Sequence, residues 1–321
     1  MKIRPSFVVR ELRRACNRLL SAAGAAFLSA LIFPSAGVHA QTLEPRAYSN
    51  APVGLNFLIA GYAYSDGKIA FDPRLPIADA KFHTDTEVMA YSHSLDAWGD
   101  CAKFDVAVPY SSFSGHAVVG GQPKERNVSG FDDPLFRFSI NFHGAPALTL
   151  KQFAGYRQDL IVGASLALTP PLGQYDSTKL LNLGNNRWSF KPELGISKAW
   201  GGWTVEILPS VTFYTDNTDF YYGKTYAQAP LYAAQAHVIY GFKSGIWLAL
   251  DGIYFTGNRT TFDGVKNDNR QTNTRGGLTV TLPVDRHDSV KINASTGTST
   301  RTGSTFNVIG ILWQYRWGAG F

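Results

Sequence analysis

VIGILWQYRWGAGF, residues 308–321, ends the chain on a two-residue repeat. From Ile309 the odd positions hold Ile309, Ile311, Trp313, Tyr315, Trp317, Ala319 and Phe321, and the even ones run from Gly310 through Leu312, Gln314 and Arg316 to Gly318 and Gly320. A period of two puts an aromatic-rich apolar row on one face of a β-strand and a small or polar row on the other. Soluble sheets alternate too, so this strand alone does not say which medium its apolar row meets.

The same period recurs upstream. Rows of alternate apolar residues begin with Val53, Leu55, Phe57 and Ile59 and include Phe104 to Tyr110, Phe136 to Phe142, Leu160 to Leu168, Trp188 to Ile196 and Trp203 to Phe213. They continue with Tyr232 to Phe242, Ile246 to Tyr254, Leu278 to Leu282 and Val290 to Ala294. With a weaker segment at Met89 and Tyr91 and the terminal strand, this predicts twelve strands. Connector lengths sort by parity: short at 98–100, 201–202, 243–244 and 283–287, intermediate at 144–157, long at 66–85, 112–133, 170–186, 215–229 and 257–270, and moderate at 299–306. Short turns on one side and long loops on the other describe an all-β, up-and-down antiparallel transmembrane barrel, whereas a β-sandwich has no such sorting. Trp98, Trp200, Trp203, Phe242, Trp317 and Phe321 fall at the short-turn ends, and Tyr110 and Trp188 near the long-loop ends, as aromatic girdles require. Phe321 then belongs to a C-terminal aromatic signature read by the barrel assembly machinery.

At the other end, Lys2, Arg4, Arg10, Arg13, Arg14 and Arg18 precede the apolar run LLSAAGAAFLSALIF and the small-residue site Val38-His39-Ala40. This pattern predicts a signal peptide, residues 1–40, cleaved before Gln41; the run is short of the roughly 20 residues a membrane helix needs. Residues 41–52 are expected to be an N-terminal periplasmic segment and 53–321 the outer-membrane barrel. Residues 1–40 hold six of the 30 basic residues and one of the 24 acidic ones, so the net charge of +6 falls to +1 in the exported part. The basic balance therefore reports targeting, and gives no support to a nucleic-acid partner. Cys16 leaves with the signal and Cys101 stays alone, which excludes an internal disulfide.

The stretches LEPRAYSNAPVGLNF (43–57), GFDDP (130–134), PLGQYDSTKLLNLGNNRWSFKPELGISKAWGGW (171–203), TDNTDF (215–220) and QAPLY (228–232) resemble the family called putative MetA-pathway of phenol degradation, although Leu172 stands where Thr is expected. The resemblance implies an outer-membrane barrel and suggests uptake of small solutes, aromatic or hydrophobic ones among them. It supplies no catalytic residues and fixes no substrate.

If the apolar rows face lipid, the opposite rows line a lumen with Lys103, Asp105, Arg137, Asn141, Asp159, Arg187, Lys191, Glu193, Glu206, Arg275, Lys291 and Arg316. A charge on the lipid face would cost about 2–4 kcal/mol at the midplane. Twelve strands lie between a barrel filled by side chains and an open porin, so the lumen is expected to be narrow, or plugged by salt bridges. Across the 98–100 turn, Asp96 is expected to pair with Lys103. Phe220, Tyr221 and Tyr222 in a long loop are candidates for capturing an aromatic solute. Pro192 and Pro209 fall in the lipid-facing rows of adjacent strands, nearly opposite each other; proline donates no ladder hydrogen bond, so they mark either a paired bulge or a lateral gap in the wall.

The rival class is a lipid-modifying outer-membrane hydrolase, for which Ser92-His93-Ser94 and Asn141 with His143 are the nearest candidates; no strained nucleophile turn accompanies them. A structural or adhesive barrel without transport is the third. The histidines show no metal-ligand spacing, and no metal or cofactor is expected. The clusters Asp216-Asn217-Asp219 and Asp263-Asn267-Asp268-Asn269 lack the glycine and terminal glutamate of a calcium loop, and either bind calcium or meet lipopolysaccharide as solvated loop ends. The expected partners are a small solute, outer-membrane lipid and the assembly machinery, with the oligomeric state left open.

Overall fold

A computed structural model describes residues 43–68, 77–119, 121–300 and 305–320; the expected signal peptide and Phe321 lie outside the described residues. Twelve staves close into one antiparallel barrel. They begin with β1 (Leu55–Lys68), β2 (Ile77–Ala97) and β3 (Asp100–Val119), followed by a stave in two lengths, β4 (Gln122–Phe131) and β5 (Leu135–His143), both paired with β3. After a single helical turn α1 (Leu150–Phe153) come β6 (Leu160–Thr169), β7 (Ser189–Trp200) and β8 (Trp203–Tyr214). Two loop strands, β9 (Asn217–Phe220) and β10 (Lys224–Gln228), precede β11 (Leu231–Gly241) and β12 (Trp247–Gly257). Another two, β13 (Thr260–Phe262) and β14 (Val265–Lys266), precede β15 (Gln271–Pro283), β16 (Asp288–Thr300) and β17 (Thr305–Gly318). Leu55 lies opposite Gly318, so β17 pairs with β1 and the ring has no edge. β14, β13, β10 and β9 form a separate small sheet at the long-loop end.

The alternation seen in the sequence is physical. In β12, Leu248, Leu250 and Tyr254 are exposed, while Trp247, Ala249, Asp251, Ile253 and Phe255 between them are buried. Across the staves the large exposed residues are apolar, including Phe104, Phe138, Leu166, Leu194, Ile207, Leu278 and Ile311. Water would not favour such a surface over the whole wall; lipid does. The girdles are rings in mutual contact: Trp203 to Tyr240 (4.8 Å, tilted) and Tyr240 to Phe242 (4.8 Å, edge to face) on the short-turn side, Tyr110 to Phe131 (5.3 Å, edge to face) and Trp188 to Phe190 (6.2 Å, stacked) on the other. Among the described residues no helix is long and apolar enough to cross a membrane, so the crossing elements are the strands.

One row is inverted relative to expectation. Leu55, Phe57 and Ile59 point into the barrel, each at most 1% exposed, and Leu58, Ala60, Tyr62 and Tyr64 point outward. The inner row packs with Ala47, Tyr48, Ala51 and Leu312, that is, on the chain's own N-terminal segment. Of the expected N-terminal segment 41–52, the described residues 43–52 lie inside the barrel, and Glu44 through Asn50 are all buried.

Candidate functional site

The N-terminal segment is held inside the barrel at several heights. At the short-turn end, Val53 N–H donates to Leu148 O (2.8 Å), Gly54 N–H to Ser94 O (2.9 Å) and Cys101 Sγ–H to Ala51 O (3.5 Å). Higher up, the Lys103 ammonium donates to the carbonyls of Ala47 (2.6 Å) and Ser49 (3.3 Å), and Asn141 to that of Tyr48 (2.9 Å). The Arg46 amide donates to Glu206 Oε2 (2.6 Å), and the other oxygen of Glu206 accepts from Ser197 (2.9 Å). Arg137 bridges Glu44 (2.6 Å) and Asp105 (2.9 Å), and the Glu44 amide donates to Gln235 (3.0 Å). Leu43, at the upper tip, packs on Leu231, Ile253 and Phe255. A backbone without regular structure is tolerated at membrane depth only where protein satisfies its polar groups, and the inward charges of the wall supply that here.

Tyr48 is seated by two glycines. Gly163 and Gly195 face each other on β6 and β7, and a β-carbon on either would stand 2.7 Å or 2.1 Å from the Tyr48 ring. The phenol oxygen reaches Ser165 at 3.1 Å and Glu193 at 3.3 Å. Neither glycine nor the placement of Glu44, Arg46 and Tyr48 inside the bore was legible; the signal the sequence offers is that LEPRAY carries two charges and an aromatic shortly before the first strand.

Of the residues expected to line the lumen, Lys103, Asp105, Arg137, Asn141, Arg187, Glu193, Glu206, Arg275 and Lys291 are buried within the barrel. Lys191 is partly buried and paired with Glu193 at 3.1 Å. Two lie elsewhere. Asp159 is exposed at the short-turn rim and pairs with Lys198, and Arg316 is tied to the carbonyl of Arg286 (2.6 Å) in the turn before β16. Asp96 does not pair with Lys103: it accepts from Gly99 N–H (2.7 Å) in its own turn, while Lys103 serves the N-terminal segment.

Above Leu43 the bore changes character. Leu183, from the loop between β6 and β7, packs on Phe82, Phe113 and Phe306. Arg187 lies between the rings of Tyr214 (4.6 Å) and Tyr226 (5.1 Å) and donates to Gln228. Burial lowers its guanidinium from the ordinary value, opposed by Tyr226, Tyr214 and the more distant Asp216 and Asp133. Phe220 packs on Tyr226 (4.9 Å) and Phe262 (5.9 Å), whereas Tyr221 and Tyr222 meet edge to face at 5.0 Å with Tyr222 exposed, so the three rings of the expected capture cluster have different neighbours. The acidic loop clusters are engaged in turns and pairs: Asn217 bonds Tyr175 and Asn185, and Asp263 pairs with Lys224 at 3.1 Å.

Pro192 and Pro209 both sit in the β7 and β8 wall, but staggered. The ladder pairs Phe190 with Phe213, Glu193 with Ser210 and Ile196 with Ile207, and skips 191–192 and 194–195, so the prolines fall in two neighbouring gaps. Pairing of β7 with β6, and of β8 with β11, is continuous through the same level. The hydrolase candidates do not converge. Ser92 is buried, while neighbouring His93 points the other way to Asn56 (2.9 Å); Ser94 serves the N-terminal segment, and Asn141 holds Tyr48 while His143 is exposed.

The family model for the putative MetA-pathway of phenol degradation matches residues 65–315. No curated protein matches the chain. Among solved structures, the COG4313 outer membrane channel from Pseudomonas putida F1 is similar with a TM-score of 0.74 at 21% identity, over 86% of this chain and 100% of that one. The beta domain of the Bordetella autotransporter BrkA gives 0.51 at 9% identity, over 82% and 99%, and the transport unit of the Escherichia coli autotransporter AIDA-I gives 0.50 at 10%, over 94% and 97%. At these identities the likeness is one of fold.

Proposed function

Because the chain belongs to the putative MetA-pathway of phenol degradation family, we propose that it is an outer-membrane channel for uptake of small aromatic or hydrophobic solutes, closed along its axis at rest by residues 43–52. The observation that carries this reading is the way the bore is filled. A purely structural barrel is filled by its own wall side chains; here the filling is a separate segment held by side chains on many different staves. Such a segment can leave without unfolding the wall. The name of the Pseudomonas putida protein, a channel, supports the same reading.

Above the segment the lining is rich in aromatic and aliphatic side chains, set with Arg187 and Arg275, which suits a solute with a poorly hydrated body, and the skipped rungs between β7 and β8 offer it an exit toward the membrane. Lys191, Glu193 and Glu206 lie on the inner side of that seam. No catalytic residue is assigned. The test is flux: liposomes carrying the protein should take up a neutral aromatic such as phenol or toluene several-fold faster than empty liposomes, with no comparable gain for glucose. Equal gains for both would make it a general porin. No gain for either would leave a structural barrel, and release of fatty acid from labelled phospholipid would favour the hydrolase.

A further inference from the structure

Among the described residues, two cations in the upper bore, Arg187 and Arg275, have no carboxylate within ion-pair distance. Arg275, 4% exposed, lies with its guanidinium carbon 3.8 Å from the centre of the Phe306 ring and donates through Nη2 to Ser295 Oγ at 2.8 Å. Its Nε–H has no acceptor, and among the described residues no carboxylate lies within 4.0 Å of it. Arg187, 7% exposed, keeps an Nη1 without an acceptor. Lower in the bore, Arg137 has Glu44 and Asp105, Lys191 has Glu193, and the Lys103 ammonium is met by two carbonyls. Of the acids near Arg187, Asp133 is taken up by Gly173 N–H, Asn185 N–H and Asn185 Nδ2–H.

The two arginines border the same apolar lining. Arg187 stacks on Tyr214, which packs on the cluster of Leu231, Ile253 and Phe255 that Leu43 also meets. Leu43 in turn lies against Gly277, on the inward row of β15 that also carries Arg275. Arg275 stacks on Phe306 among Phe82, Phe113 and Leu183. Leaving a buried guanidinium without an anion is costly, and its planar fork matches a carboxylate. We propose that the outer half of the bore selects amphipathic carboxylates, with Arg275 holding the carboxylate through its free Nε–H and Arg187 as a second anchor toward the mouth, while the solute's aromatic or alkyl part lies on the lining between them. This rests on the uptake reading and narrows its substrate class.

The test uses 4-phenylbutyrate and its neutral amide, with the full-length protein in nanodiscs for calorimetry and in liposomes for flux. The acid should bind about tenfold more tightly than the amide, the factor of roughly one charge-assisted hydrogen bond. Arg275→Gln should reduce the ratio to within about twofold, and Arg275→Lys, which keeps the charge and loses the fork, should give an intermediate ratio. Equal binding of acid and amide, or a preference that survives Arg275→Gln in a barrel that still shows heat-modifiable migration, overturns the proposal. If the amide enters liposomes and the acid does not, uptake stands and carboxylate selection falls; if neither enters nor binds, both fall.

Discussion

Tyr48 shows how a single residue ties the filling of the bore to its wall. Its ring occupies the space that side chains at Gly163 and Gly195 would need, so the plug and two staves share one contact surface. Gly195→Ala places a β-carbon 2.1 Å from the ring, against a buried side chain with nowhere to swing. The expected result is a loosened segment: ion leakage in bilayer recordings above wild type, and a loss of about 1–3 kcal/mol of barrel stability from overpacking. Adding Tyr48→Ala should restore stability partly, giving a clear non-additive coupling; additive losses would mean that the ring is not seated there. At this scale parity sends charged residues such as Lys103, Asp105, Arg137 and Glu206 to the face opposite the lipid row, where they are buried, whereas Asp159 and Arg316 lie elsewhere. The glycine seat was not legible, since a glycine in a strand reads the same whether it marks a bulge, a weak strand or the landing place of a distant ring.

Among elements, the β7 and β8 seam was partly legible and the β1 face was misread, for related reasons. Proline carries its meaning in the backbone, so Pro192 and Pro209 announced a broken ladder before any partner was known; their stagger by two residues needed the register. In β1 both rows are apolar enough to meet lipid, and which one does so depends on the N-terminal segment covering Leu55, Phe57 and Ile59. Alternation gives the period of a strand and leaves its sign to whatever packs on it. Phe190 and Phe213 face each other across the seam just above the first skipped rungs. Phe190→Cys with Phe213→Cys should form a disulfide that slows hydrophobic-solute flux severalfold, reversibly on reduction, without altering ion conductance. A quantitative crosslink with unchanged flux would close the seam as an exit.

For the whole molecule, strand number, closure and the placing of the aromatic girdles followed from a period of two and the sorting of connector lengths, because lipid imposes one requirement on every stave. The plug did not, because a short segment with no period satisfies its hydrogen bonds from residues scattered over the whole wall. The central claim is that this segment closes a channel whose wall stands without it. Planar-bilayer recording of the wild-type protein beside a variant lacking residues 43–50 tests this directly. The account predicts small or infrequent currents for the wild type and a steady conductance at least severalfold larger for the deletion, with heat-modifiable migration retained; equal conductance in the two, or a wide porin-like current from the wild type, would contradict it.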